Sequence, residues 1–306
     1  MAENKPWLNN NNTYDDGNEW DRVGLEAIKS QNHKVLCDTK SKYQDINIVE
    51  VKDIRMYLND HLQFSSLDER IYHEALVHPP MTLAKVRTNV LILGGGDGLA
   101  LREVLKYPDV DHVDLVDIDA EIIKVARSVP ELVKLNESSF FDKRVRVHVK
   151  DALRFIRSNT HKYNVIIVDF PDPTNVTLSK LYTTEVFTRL KRFLPPGGVI
   201  VCQSNSPDDT PILFWSIGRT MWSAGLNVMS YHTIIPSFGD WGFHLAARSA
   251  NTDGIGKLSI KVPHRTLPKN LDSLCRFRDD ILSNKKYAVV NSQDNLRLHD
   301  IFQEEV

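Results

Sequence analysis

The sequence predicts an α/β fold: a Rossmann-like, doubly wound, mainly parallel sheet with a small N-terminal β-domain. Three observations carry this. Val90-Leu91-Ile92-Leu93 is an apolar run that enters Gly94-Gly95-Gly96-Asp97-Gly98, and Leu99 to Leu105 opens a helix behind it. That is the first turn of a nucleotide-binding sheet. From Asn89 onward strands and helices alternate, the rhythm of parallel βαβ units. Before residue 80 the pattern is β instead, with Tyr43 to Val51 alternating polar and apolar residues, the period of a half-buried strand.

The elements follow in order. Lys34-Val35-Leu36-Cys37 is a short strand. Ile54–Leu58 and His61–Phe64 form a hairpin around an Asn59-Asp60 turn. Leu67–His78 is helical, with an acidic start at Asp68-Glu69 and a stop at Pro79-Pro80. Strands are expected at Val90–Leu93, His112–Val116, Val145–Val149, Asn164–Val168 and Val199–Gln203. Helices are expected at Leu99–Lys106, Ala120–Ser128, Ala152–Ser158, Thr183–Phe193 and Pro211–Ala224. Leu226–Ile235 and Gly242–Ala247 close the sheet as two antiparallel strands. This divides the chain into a polar N-terminus (1–33) that starts disordered, a β-domain (34–80), a Rossmann-like domain (81–250) and a weakly patterned tail (251–306) with short helices over Leu271–Leu282.

Bulk properties narrow the function. The 306 residues hold one large α/β domain and a smaller one. A net charge of −2 with no basic tract speaks against nucleic acid. Cys37, Cys202 and Cys275 are scattered, making neither a disulfide framework nor a metal cluster, and fit a reducing cytoplasm. No apolar run approaches a membrane span, and the N-terminus lacks the apolar core of a signal peptide.

Chemistry enters with Asp97. Glycine loops that cradle pyrophosphate use backbone N–H groups and a helix N-terminus, which favour an anion. A carboxylate inside the loop opposes phosphate and suits a nucleoside carrying positive charge, such as an adenosyl sulfonium. The alternative is an Asp serving only to cap the helix. Ligands in open α/β sheets sit beyond the carboxyl ends of the strands, and each of the first four expected strands delivers acid there. Asp117, twenty residues beyond Asp97, is placed for ribose hydroxyls. Asp119 is the weaker candidate and a cap for the next helix. Asp151, before Ala152, suits an adenine amino group or a helix cap. Asp169-Phe170-Pro171-Asp172-Pro173 holds two carboxylates in a loop stiffened by two prolines. Carboxylates held close raise each other's pKa unless a cation lies between them, so this pair invites a cationic amine.

With these motifs the chain resembles the spermidine synthase family, the polyamine aminopropyltransferases. The strings that carry the resemblance are Lys40-Ser41-Lys42-Tyr43-Gln44-Asp45-Ile46, Asp68-Glu69-Arg70-Ile71-Tyr72-His73-Glu74, the glycine loop followed by Leu101-Arg102-Glu103-Val104, the Asp169/Asp172-Pro173 pair, and Ile235-Pro236-Ser237 with Gly242-Phe243. The resemblance implies decarboxylated S-adenosylmethionine as co-substrate, no prosthetic group or metal, and a homodimer or homotetramer. It implies that Gln44 and Asp97 face the aminopropyl group, Asp117 the ribose and Asp151 the adenine, with Gly94, Gly96 and Ala152 alongside them. Asp169 would be the acid–base group. Tyr72, His73 and Asp172 would orient the acceptor amine, putrescine or a relative, with Phe238, Asp240 and Trp241 near it. Departures fall on the acceptor side: Phe170 and Pro171 inside the acidic loop, Thr174–Leu178 after it, and Phe238 where the family has tyrosine. They resemble a bacterial subgroup often fused to membrane helices.

The chemistry needs little beyond alignment. A sulfonium carbon is already activated, so the enzyme mainly has to align a neutral amine for in-line displacement. An alkyl ammonium titrates near lysine's reference of about 10.4, so a proton must leave. Asp169 accepts it late, or through Tyr72 or water. Two other readings use the same fold: a methyltransferase taking intact S-adenosylmethionine, opposed by Asp97 and Asp169 facing the methionine carboxylate, and a non-catalytic sensor of polyamine or nucleoside.

Overall fold

The computed structural model describes residues 19–248, 254–258 and 262–306. The disorder expected at the start of the chain falls, through residue 18, outside the described residues. The remainder of that segment is a helix, α1 (Glu19–Lys29), where only a polar stretch was expected. Leu25 and Ile28, three residues apart, bury together against Val49 and Tyr57 of the small sheet, and Asp21 accepts the Leu62 N–H at 2.9 Å. Two apolar anchors are too few to stand out as a period.

The small sheet is antiparallel, in the order β1 (Lys34–Lys40), β2 (Asp45–Glu50), β3 (Ile54–Leu58), β4 (His61–Ser65). Its last hairpin turns on Asn59 and Asp60, both at positive φ (50° and 67°), the conformation that two-residue hairpins require. Helix α2 (Glu69–Leu83) then crosses to the large sheet. It runs through Pro79 and Pro80 rather than stopping before them, and it spans the domain boundary expected at residue 80. The Ala75 carbonyl, left without a donor because Pro79 has no N–H, accepts the buried Tyr231 hydroxyl at 2.7 Å. Leu76, Val77 and Met81 are fully buried, and that packing offsets the cost of the prolines.

The large sheet is built from β5 (Asn89–Gly94), α3 (Leu99–Leu105), β6 (His112–Asp117), α4 (Ala120–Ser128), α5 (Pro130–Leu135), β7 (Val145–Val149), α6 (Ala152–Ser158), β8 (Val165–Asp169), α7 (Val176–Ser179), α8 (Thr184–Phe193), β9 (Val199–Gln203), α9 (Pro211–Ser223), β10 (Asn227–Ile235) and β11 (Gly239–Ala247). Its strand order is β10-β11-β9-β8-β5-β6-β7. The first five strands are parallel; β11 runs antiparallel to β9, and β10, antiparallel to β11, points the same way as the first five again. Val90 and Ile92 bury in one apolar layer and Leu91 and Leu93 in the other, as a two-sided parallel sheet requires. Strand order reverses between β5 and β8, the crevice where open α/β sheets bind ligands.

Two further features position the site. Ile46, Ile48, Met56 and Phe64 of the small sheet pack on Leu99 of α3, Ile122 and Val125 of α4 and Leu132 of α5. This docks the small domain beside the glycine loop. The segment after residue 254, expected as a weakly patterned tail, is part of the core. Ile255, Val262 and Leu271 join one apolar layer, and Leu298, Ile301 and Phe302 of the last helix, Leu298–Glu305, join the other. Glu305 there accepts the Ile212 and Leu213 N–H groups at 2.9 Å, capping α9 from the far end of the chain. Leu298, Ile301 and Phe302 carry an i, i+3, i+4 apolar stripe, a local signal that the sequence reading passed over.

Candidate active site

The glycine loop is shaped by close approach. Gly94, at φ +88°, lies so near β8 that an added Cβ would sit 2.0 Å from the Asp169 carbonyl oxygen. Gly96 leaves the same kind of room for Asp117, whose Oδ2 accepts the Gly96 N–H at 3.0 Å while its Oδ1 accepts the Asp119 N–H at 2.8 Å. Asp97 is half-buried. Its carboxylate accepts the Leu99 N–H at 2.8 Å, and its carbonyl accepts from Asn136 at 3.1 Å. Asp151 caps α6 through the Arg154 N–H at 2.8 Å, with Ala152 the first residue of that helix. Asp151 thus has the capping role the sequence offered as an alternative, whereas Asp97 stands one residue before Gly98, the cap position of α3, and each keeps a second carboxylate oxygen.

Asp119 is more than a cap. One oxygen accepts the Glu121 N–H at 3.0 Å, and the other accepts the Gln44 side-chain amide at 2.9 Å and the Ser41 hydroxyl at 2.7 Å. Gln44 is therefore fixed at the domain junction by an acid that sequence reading ranked low. The two-residue spacing from Asp117 was visible, but the partner on another domain was not.

At the switch point, Asp169 ends β8 and accepts the Tyr72 hydroxyl of α2 at 2.5 Å. Burial pushes Asp169 up to about 6, against the opposing pull of His73 and the Tyr72 hydrogen bond. Burial likewise takes Asp172 to about 6 despite the Gln203 amide, and Asp117 to about 6. Tyr72 is raised well above its ordinary value, by burial first and then by the Asp169 charge. Burial thus makes Asp117, Asp169, Asp172 and Tyr72 hold their protons more firmly than in water, a perturbation common at functional sites.

A buried charge network holds Tyr72 and His73 against the glycine loop. Arg102 of α3 grips Glu69 of α2 with two hydrogen bonds, at 2.8 and 2.9 Å, and bonds Glu103 at 2.8 Å. Glu69 also meets His73 Nδ1 at 2.9 Å. Burial would raise Glu69, but His73 and Arg102 outweigh it and take it down to about 2. Burial would lower His73, but Glu69 outweighs it and leaves its pKa raised. Sequence reading assigned Glu69, Arg102 and Glu103 no role. The available signal was a pair of opposite charges, Arg102-Glu103, inside an otherwise apolar helix.

The Asp172 side of the site comes from distant segments. Gln203 at the end of β9 donates to the Asp172 carboxylate at 3.1 Å and meets the Tyr182 hydroxyl at 3.0 Å, while Tyr182 donates to the Pro171 carbonyl at 3.0 Å. Trp241 of β11 lies edge-on to Tyr72, with ring centroids 6.4 Å apart, and against Phe238 at 5.5 Å. Asp240 does not join them. Side chains alternate faces along a strand, so Asp240 turns from the face of Trp241 and binds His232 Nδ1 at 2.6 Å. The expected trio of Phe238, Asp240 and Trp241 is a pair. His73, Asp169 and Asp97 come together closely enough that both carboxylates act on the imidazole. Among the described residues no helix is long and apolar enough to cross a membrane.

Residues 69–254 match the spermine/spermidine synthase domain. Polyamine aminopropyltransferase 2 of Bacillus cereus is 54% identical over 289 residues, covering 94% of this chain and 79% of that protein. A polyamine aminopropyltransferase of Oceanobacillus iheyensis is 45% identical over 210 residues, 68% of this chain and 41% of that longer protein. In fold, the chain is similar to a crystal structure of spermidine synthase in complex with the transition-state analogue AdoDATO. The TM-score is 0.76 at 24% identity, covering 83% of this chain and 88% of that one. The chain belongs to the spermine/spermidine synthase family.

Proposed function

We propose that this protein transfers the aminopropyl group of decarboxylated S-adenosylmethionine to a diamine, with putrescine as acceptor and spermidine and methylthioadenosine as products. The observation that carries the reading is the Tyr72–Asp169 hydrogen bond of 2.5 Å at the switch point, beside acids that burial has raised to about 6. The amine nitrogen attacks the carbon next to the sulfonium. The new C–N bond forms as the C–S bond breaks, and the electron pair goes to sulfur. The amine proton passes to Asp169. Raising that carboxyl toward 6 narrows the gap to an amine titrating near about 10 and makes it a better base than a solvated aspartate. Tyr72 fixes the carboxylate's orientation. Asp172 takes the second ammonium of the diamine, Asp117 the ribose, Asp151 the adenine, and Gln44 and Asp97 the aminopropyl amine.

The co-substrate is a dissociable reactant, and the reading calls for no prosthetic group. A homodimer or homotetramer in the cytoplasm completes it, supported by the family resemblance and by three free cysteines. The test is incubation with decarboxylated S-adenosylmethionine and a panel of amines. Methylthioadenosine should appear with putrescine. No release with any amine overturns the reading.

A further inference from the structure

The Asp68 carboxylate stands at the N-terminus of α2, four residues before Tyr72. It is 5% exposed. Its partner lies far along the chain. Ser237, in the turn between β10 and β11, gives Asp68 Oδ2 both its backbone N–H and its hydroxyl, each at 2.7 Å. The next residue is Phe238, whose ring packs on Trp241, and Trp241 packs on Tyr72. The contacts form a closed circuit: Asp68 to Ser237, along the turn to Phe238 and Trp241, then across to Tyr72 on the same helix as Asp68. Inside this circuit two polar atoms, Asp68 Oδ1 and the Trp241 indole N–H, are buried without a partner. A buried carboxylate left half-satisfied is costly, and it is kept here at the point that ties the hairpin to the helix.

We propose that Asp68 is a positioning residue for the acceptor amine: through Ser237 it latches the β10–β11 turn onto α2 and so sets the distance between the Phe238–Trp241 wall and Tyr72. The inference rests on the transferase reading above. The latch touches the acceptor wall and none of the glycine-loop contacts, so its loss should separate the two substrates.

The test uses the full-length protein with three variants: Ser237→Ala, which removes one of the two donors; Asp68→Asn, which removes the charge; and Ser237→Thr, which restores a hydroxyl. Ser237→Ala keeps the backbone bond and is the variant least exposed to misfolding. The expected result is a rise of about tenfold in the KM for the amine in Ser237→Ala and Asp68→Asn, the scale of one hydrogen bond to a charged group. Ser237→Thr should stay near the parent. The Kd for decarboxylated S-adenosylmethionine, measured by calorimetry, should stay within about twofold in all three. The proposal is overturned if the amine KM is unchanged in both weakened variants, or if nucleoside affinity falls in step with it. Absence of turnover in the parent protein with every amine tests the transferase reading instead, and is seen before any variant is made.

Discussion

The half of the pocket proposed above for the nucleoside and the half proposed for the acceptor are built on different principles. The nucleoside half lies on consecutive strands of one parallel sheet. Gly96, Asp117 and Asp151 sit at the ends of β5, β6 and β7, and the two carboxylates are fixed by backbone N–H groups within two or three residues or, from Gly96, beyond the adjacent strand. The acceptor half draws α2, the loop after β8, the end of β9 and the β10–β11 turn from across the chain. It is held by long-range side-chain bonds: Tyr72 to Asp169, Gln203 to Asp172 and Ser237 to Asp68. A local scaffold tolerates change elsewhere in the chain. A long-range one depends on buried pairs and can be retuned one residue at a time, which fits the sequence departures clustering around Phe170, Thr174–Leu178 and Phe238.

The strongest way to break this contrast is to cut the joint between the halves. Arg102→Met should leave Glu69 buried without its main partner and cost about 3–5 kcal/mol of stability, the scale for breaking a buried ion pair. Chemical denaturation measures it, and a change under about 1 kcal/mol would show that the network is not structural. Next in size, Asp169→Asn should lower turnover by about a hundredfold while nucleoside affinity, read by calorimetry, is retained. Asp172→Asn should raise the amine KM about tenfold and leave nucleoside affinity alone. Gly96→Ala should do the reverse, because its Cβ would sit 2.7 Å from Asp117 Oδ2. Parallel losses for both substrates in these two variants would erase the distinction.

The smallest effect is pH dependence. Asp117, Asp169 and Asp172 sit at about 6 in the fold against an ordinary 3.8. Between those values the folded chain binds more protons than the unfolded one, so these groups make the unliganded protein less stable as pH rises through that window. A dication binds the ionised carboxylates and reverses the sign. Affinity for decarboxylated S-adenosylmethionine should therefore increase from about pH 5 to about pH 7, while neutral methylthioadenosine should show a shallower slope. Thermal shifts with each ligand give the comparison.

The same contrast explains what was legible. Strand edges rich in Val, Ile and Leu, the glycine loop and the acids ending each strand are local signals, and β7, α4, α6 and β9 fall where the pattern put them. Long-range pairing left no local trace. Pro79 and Pro80 read as a stop because the Tyr231 hydroxyl that serves Ala75 lies on another strand. Asp240 read as a pocket acid because its place in β11, and hence its face, was set by a strand starting earlier than its apolar run. The C-terminal segment read as a tail because its few apolar residues find partners in layers formed far upstream. Asp119 read as a cap, and its second role depends on how the small domain docks.

The central claim is that the acidic switch point moves an aminopropyl group between two cationic substrates. Chromatographic detection of methylthioadenosine after mixing the protein with decarboxylated S-adenosylmethionine and putrescine tests it most directly. Stoichiometric methylthioadenosine and spermidine, formed about a hundredfold more slowly in Asp169→Asn, is the result expected. Methyl transfer from intact S-adenosylmethionine, with no methylthioadenosine from the decarboxylated form and any amine, would contradict it.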